Sequence, residues 1–252
     1  MVSPSPWPIF TAISAFFLVL SLIISWSIFS PWYLVPSFVL ITYSCFEWGR
    51  SISIEATYLG CHTSAVRSLH LTGFALFIIS EVFFFVSWFW AYFHFSLRPA
   101  VEIGSYWPPA GVLAPSPFTV PLLNTVVLLT SGASVTWGFS SLLSGLYFSA
   151  DSGFCLTLVL GLFFICLQCA EYYFRYFTIA DSSYGSSFYI LTGFHGFHVF
   201  CGSLILFVRL WRIRLGIVTC SRHTIVISTV WYWHFVDVVW LVLFLWVYIW
   251  GS

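Results

Sequence analysis

The stretch "ISEVFFFVSWFWAYFH", residues 79–94, decides how the chain is read. It sets one carboxylate, Glu81, among phenylalanines and tryptophans, with no lysine or arginine nearby to offer a countercharge. A helix that is apolar all round belongs in lipid or in a large core. Composition settles which. Of 252 residues, 60% are hydrophobic, 22% aromatic and only 6% charged. Soluble domains carry about 25% charged residues, so this chain cannot build a water-exposed surface. Lipid must be the solvent for most of it.

Outward from Glu81, apolar runs long enough to cross a bilayer fall at 9–29, 33–48, 70–96, 121–148, 154–177, 188–210 and 227–250. That predicts seven spans, the second being the shortest and ending at Glu47 and Arg50. The flank "MVSPSPWP" has no positive charge, and no small-residue cleavage site follows the first run, so a cleaved signal peptide is not expected. Between spans, "SPWYLVPS" turns with Trp32 and Tyr33 at interface height, and "SADSG" (149–153) is expected as a tight turn. "SLRPAVEIGSYWPPAGVLAPSPFTVP" (96–121) is a long Pro- and Gly-rich connection, 178–187 a polar loop, and 209–223 a basic connection. No repeat, direct or inverted, supports the architecture of secondary transporters.

Orientation follows from the arginines, since the chain has no lysine. Arg50, Arg67, Arg209, Arg212, Arg214 and Arg222 share one side, against Arg98 and Arg175 on the other. The N-terminus is therefore expected on the positive-inside face and the C-terminus opposite. Zero net charge argues against nucleic acid as a partner. The seven cysteines (45, 61, 155, 166, 169, 201, 220) fit neither a disulfide framework nor a zinc ribbon. Even Cys166-x-x-Cys169, inside a hydrophobic run without a second pair, reads as lipid-buried or helix-packing thiols.

Ionisable residues at membrane depth are few. Glu81 is costly there if charged and unpaired, so the expectation is a neutral acid, either proton-holding or bonded to a neighbouring helix. Glu171 has Arg175 four positions on and reads as a helix-end ion pair. His195 and His198 in "TGFHGFH" share a face at ligand-compatible spacing, and with His94 and His234 they invite a metal reading. An ExxH motif is missing, so bonding to backbone or to a carboxylate on another helix is expected instead. Asp237 follows His234 by three and reads as a structural pair within the last span. Gly193, Gly196 and Gly202 are expected to let the sixth span approach its neighbours closely. Walker-type and GxGxxG stretches are missing, which removes the motif basis for an ATPase.

Seven collinear stretches carry a resemblance. They are "PSPWP" (4–8), "LFIISEVFFFVSWFWAYFH" (76–94), "EIGSYWPPAGV" (102–112), "VPLLNTVVLLTSGASVTW" (120–137), "EYYFRYFTIADSSYGSSFY" (171–189), "TGFHGFHV" (192–199) and "WYWHFVDVVWLVLFLWVYIWG" (231–251). Together they resemble the subunit III family of mitochondrial-type cytochrome c oxidase. The resemblance implies an all-α membrane protein of seven helices, with helices I–II (1–50), an inside connection (51–69) and a five-helix bundle (70–252). The two sets of helices would form a V-shaped cleft holding phospholipids. It implies a non-redox subunit of complex IV in the mitochondrial inner membrane, N-terminus on the matrix side, that stabilises subunit I and supports proton uptake. Haem and copper would sit in partner subunits, with subunits I and II, accessory subunits and phospholipids such as cardiolipin or phosphatidylglycerol as partners.

Carried over by position, Glu81 matches the family's buried carboxylate. Arg50, Glu55, His62 and Arg212 match lipid-headgroup positions, and Trp90 a cleft wall. Departures stand at Phe139, Ser140, Arg222, Ile227 and Ile54, and they place in doubt a proton-collecting histidine array. An independent seven-helix proton or ion transporter using Glu81, Glu171 and Asp237 is the competing reading.

Overall fold

The computed structural model describes residues 4–219 and 223–251. In lipid every backbone polar group must be satisfied within the protein, which leaves helices or closed barrels as the spanning forms. The chain takes the first course. Among the described residues there are seven α-helices: α1 Trp7–Ile28, α2 Leu34–Thr57, α3 Ser64–Leu97, α4 Val120–Leu143, α5 Tyr147–Tyr173, α6 Ser183–Arg214 and α7 Thr224–Leu243. A π-helical segment, Phe244–Ile249, prolongs the last. Six are long and apolar enough to cross a membrane, the last of them taken as Thr224–Ile249. The exception is α2, whose second half carries Glu47, Arg50 and Glu55. The chain is a multi-pass membrane protein.

Two compact units divide it, one ending at His70 and the other starting at Leu71. In the first unit, α1 packs along α2. The large apolar side chains of both helices mostly face outward, and apart from Glu55 near the end of α2 their buried residues are serines, Ser14 and Ser21 from α1 with Ser37 and Ser44 from α2. Each pair is seven residues apart, two helical turns, so one narrow stripe of small residues runs down each helix. Ser21 and Ser37 meet through their hydroxyls at 2.5 Å. Small hydroxyl residues let backbones approach where lipid removes any hydrophobic drive for association.

The second unit holds the core. α4 and α5 pack most intimately, and α5–α6, α6–α7 and α4–α7 close the bundle. Glycines make the close approaches. A Cβ on Gly153 would lie 2.6 Å from Gly138 Cα, and one on Gly161 would lie 2.6 Å from the Trp233 ring. The hydroxyls of α4 do double duty beside them. Ser131 donates to Leu128 O at 2.7 Å and accepts the Trp233 indole N–H at 2.9 Å. Thr125 donates to Pro121 O at 2.9 Å and accepts the Trp240 N–H at 3.0 Å. By contrast α3 meets α6 and α7 through large rings. Phe84 stands 5.0 Å from Phe194, Trp88 5.6 Å from Phe194, and Phe93 5.2 Å from Trp246, centroid to centroid.

Several boundaries differ from the sequence reading. The turn expected at 149–153 lies within α5, and the chain instead turns at Ser144–Leu146, where Gly145 takes φ +76°. Asp151 suggested a loop because it is charged, but it receives Arg214 from α6 at 2.7 Å and so sits comfortably on a helix. α6 begins inside the expected polar loop, capped by Ser182, whose hydroxyl accepts from Gly185 N at 3.2 Å. It continues through Arg214, into the expected basic connection. Likewise α2 and α3 run into the span 51–69, leaving 58–63 as the connection. At about 1.5 Å per residue α3 is ~51 Å long, so it overreaches a ~30 Å hydrocarbon core. Of the three glycines expected to tighten α6, only Gly202 meets a neighbour closely, the Trp233 ring at 3.0 Å; Gly196 faces open space and Gly193 is 4.0 Å from Tyr172. Spacing along one helix does not say which face its neighbours occupy.

Candidate functional site

Glu81 finds its partner 117 residues away. Its Oε2 lies 2.9 Å from His198 Nε2, joining α3 to α6. The other imidazole nitrogen, Nδ1, is 2.7 Å from Phe194 O, one turn back on α6. A carbonyl can only accept, so Nδ1 carries a hydrogen and donates it. That leaves one exchangeable proton between Nε2 and the carboxyl. Either the acid donates to a neutral imidazole, or the imidazolium donates to a carboxylate. Both arrangements are neutral overall, which reconciles a carboxyl with the rings of Phe84 and Phe85 beside His198. The pair is not sealed, since 24% of the Glu81 side chain and 11% of the His198 side chain remain exposed. The sequence led us to expect a histidine bonded to backbone or to a carboxylate on another helix, but nothing in it named Glu81 and His198 as each other's partners.

Two other histidines are bonded to protein groups. His195, fully buried, donates from Nε2 to Val236 O at 3.2 Å and packs against Trp240 and Phe164. Thr136 gives its hydroxyl hydrogen to Gly132 O at 2.9 Å, so its oxygen accepts from His234 Nε2 at 3.1 Å. Asp237 lies 3.6 Å from His234 Nδ1 and tight against Gly132. His195 and His198 thus turn to different partners instead of converging, as expected for histidines that hold helices together. His94 closes the last turn of α3. No set of three or more His, Cys, Asp or Glu side chains among the described residues could hold a metal ion.

Glu171 and Arg175 form the ion pair that their spacing announced, and Tyr248 donates to Glu171 Oε2 at 3.5 Å. The three carboxylates of the transporter reading are therefore spread over α3, α5 and α7, each with its own basic neighbour.

In the first unit, a cavity of about 370 Å³ is lined by Trp7, Glu47, Arg50, Ser51, Ile54, Glu55 and Leu59. Arg50 spans both oxygens of Glu47 at 3.1 and 3.2 Å, and Glu55 is buried. His62, in the connection after α2, lies near His70, the ring centroids 5.0 Å apart and the planes tilted by 36°. Burial pushes the His62 imidazole below its ordinary range, His70 adds to that, and Glu55 opposes it. Arg212 lies in the last turn of α6, and Trp90 stands 75% exposed on α3. Of the departures from the resemblance, Phe139 packs near His223 and Arg222 lies outside the described residues, as does Cys220 of the cysteine set.

Comparison with known proteins bears directly on these arrangements. The family model described as cytochrome c oxidase subunit III matches residues 1–252. Cytochrome c oxidase subunit 3 of Branchiostoma lanceolatum is 48% identical over 252 residues, covering 100% of this chain and 96% of that protein. The protein of the same name from Danio rerio is 47% identical, covering 100% of this chain and 97% of its own length. That of Emericella nidulans is 47% identical over 253 residues, covering 100% and 94%. A match of this extent means that the chain belongs to the cytochrome c oxidase subunit III family and is a subunit of that oxidase.

Proposed function

We propose that this chain is the non-redox core subunit that flanks the haem- and copper-bearing subunits I and II, steadies subunit I through turnover and supports its proton supply. The observation that carries the reading is the Glu81–His198 pair, a neutral couple holding one mobile proton at membrane depth and still partly exposed. A neutral couple can exchange its proton without leaving a net charge in lipid, which a lone carboxylate cannot do. Phospholipid headgroups are the second ligand class. The cavity around Arg50, Glu47 and Glu55 offers a guanidinium and carboxylates together, suited to a headgroup with both signs of charge. We place the chain in the inner mitochondrial membrane with its N-terminus on the matrix side, supported by the arginines at 50, 67, 209, 212, 214 and 222.

Glu81→Gln in the assembled oxidase tests the proton role. The amide keeps the shape of the neutral acid, so assembly, haem absorbance and the initial rate of electron transfer should stay near those of the unmodified enzyme. Under sustained turnover the rate should fall faster, as proton supply lags. A time course indistinguishable from the unmodified oxidase would remove Glu81 from proton supply, and failure to assemble would make it a packing residue.

A further inference from the structure

The cavity of the first unit is unbalanced in charge. Trp7 opens α1, while Glu47, Arg50, Ser51, Ile54 and Glu55 stand on the second half of α2, so the cavity lies at one end of the helix pair. Its lining sets two carboxylates against one guanidinium, a formal charge of minus one. Arg50 is already engaged, for its Nη1 donates to both oxygens of Glu47 at 3.2 and 3.1 Å. Glu55 is placed differently. It is 8% exposed, it accepts the Ser51 hydroxyl only at 3.5 Å, and among the described residues no arginine pairs with it. His62 is close enough to feel its charge, but burial and His70 hold that imidazole below its ordinary range, so at neutral pH it brings no countercharge. An ionised carboxylate buried without a cation is costly. Where a second cation could stand, one residue before Glu55, the lining has the apolar Ile54.

We propose that this cavity selects phospholipids whose headgroup ends in a primary ammonium, with Ile54 as the specificity-determining residue. The inference rests on the headgroup reading given above and narrows it to one class. A primary ammonium brings a positive charge and three N–H donors, which suit the Glu55 carboxylate and the Ser51 oxygen. The lipid phosphate stays at the mouth, where Arg50, its side chain 60% exposed, keeps Nη2 and Nε to donate. A trimethylammonium headgroup carries the charge but no N–H, and the aromatic cage that ordinarily holds such a group is reduced here to Trp7. An anionic headgroup would add negative charge to a lining that is already negative, against a guanidinium already shared. The cardiolipin and phosphatidylglycerol that the family resemblance implies are therefore disfavoured in this cavity. Arginine in place of Ile54 would neutralise the lining and remove that barrier.

The test uses the assembled oxidase in bilayers of equal parts dioleoyl phosphatidylethanolamine, phosphatidylcholine and phosphatidylglycerol. One lipid at a time carries a diazirine beside its headgroup, and adducts on residues 47–59 are quantified by peptide mass spectrometry. Ethanolamine adducts should exceed each of the others by about tenfold, the worth of one hydrogen bond to a charged group. Ile54→Arg should raise the glycerol lipid to at least the ethanolamine level. Glu55→Gln, which keeps the shape and removes the charge, should erase the ethanolamine advantage, and it decides the matter if the arginine variant fails to assemble. Equal labelling by the three lipids, or a lead for the glycerol lipid in the unmodified oxidase, overturns the proposal. An ethanolamine advantage that survives both substitutions overturns it too. Labelling elsewhere on the chain but none at 47–59 by any lipid would instead remove the headgroup reading on which the proposal stands.

Discussion

Gly153→Ala perturbs the tightest crossing in the bundle. The added methyl would sit 2.6 Å from Gly138 Cα, 2.7 Å from Gly138 N and 3.1 Å from Ser134 O. Carbon atoms in good contact stand about 3.5–4.0 Å apart, so the shortfall is roughly 1 Å. Every atom in the way is backbone, so no rotamer change relieves it. α4 and α5 must part by about that distance. One turn further along α5, the Ser134–Thr157 hydrogen bond at 2.8 Å would then stretch beyond bonding range. Overpacking costs about 1–3 kcal/mol. The broken interhelical bond adds about 0.6 kcal/mol. Alanine's better helix propensity returns up to about 1 kcal/mol. The expected net loss is about 1–3 kcal/mol. Gly196→Ala is the control, since nothing stands within 4 Å of its Cβ position. Denaturant titration of the purified oxidase, following retention of this chain, reads the difference. Equal stability of the two variants would refute the claim that backbone contact between α4 and α5 sets the core.

Other outcomes follow from the same physics. Ser131→Ala should strand the buried Trp233 indole N–H and cost about 1–3 kcal/mol in the same titration, while Ser140→Ala, on an exposed face of α4, should cost little. Arg175→Met should destabilise by about 2–4 kcal/mol, because the Glu171 side chain it leaves behind is only 1% exposed; adding Glu171→Gln should restore most of the loss in a double-mutant cycle. His62 gives a pH dependence. Its folded-state affinity for protons is lowered, so the unfolded connection binds more protons once the pH falls below about 6.5. Stability of the α2–α3 connection is therefore complete above that value and declines below it until the folded imidazole also protonates. Amide exchange at residues 58–63 should quicken across that window, and His62→Gln should flatten the response.

Hydropathy made the helices legible because lipid leaves the backbone few other options. Their ends were less so. Asp151 looked like a loop residue until Arg214, 63 positions later, supplied its partner, and the true turn rested on Gly145. The site shows the same limit. Glu171 and Arg175 could be paired from sequence since four residues make one helical turn, whereas Glu81 and His198 are neighbours only because α3 packs beside α6. The serines at 14, 21, 37 and 44 were readable in principle. Their heptad spacing marks a contact stripe, but serine in an apolar run draws less notice than a charge does. The close glycines of α4 and α5 could not be ranked from sequence, for nothing along one helix reveals what stands opposite.

Trp233 has a further consequence for how this chain can change over time. Its ring is gripped by Gly161 on one side and Gly202 on the other, and its N–H is held by Ser131. Enlarging either glycine first would collide with the indole; shrinking the indole first would leave a void and an idle hydroxyl. Each single step is harmful, yet a smaller ring together with an alanine could fill the same space. Substitutions at these four positions are therefore contingent on one another, and a residue harmless in one background should be forbidden in another. The order in which mutations arrive, as much as their chemistry, governs which variants of this bundle can exist.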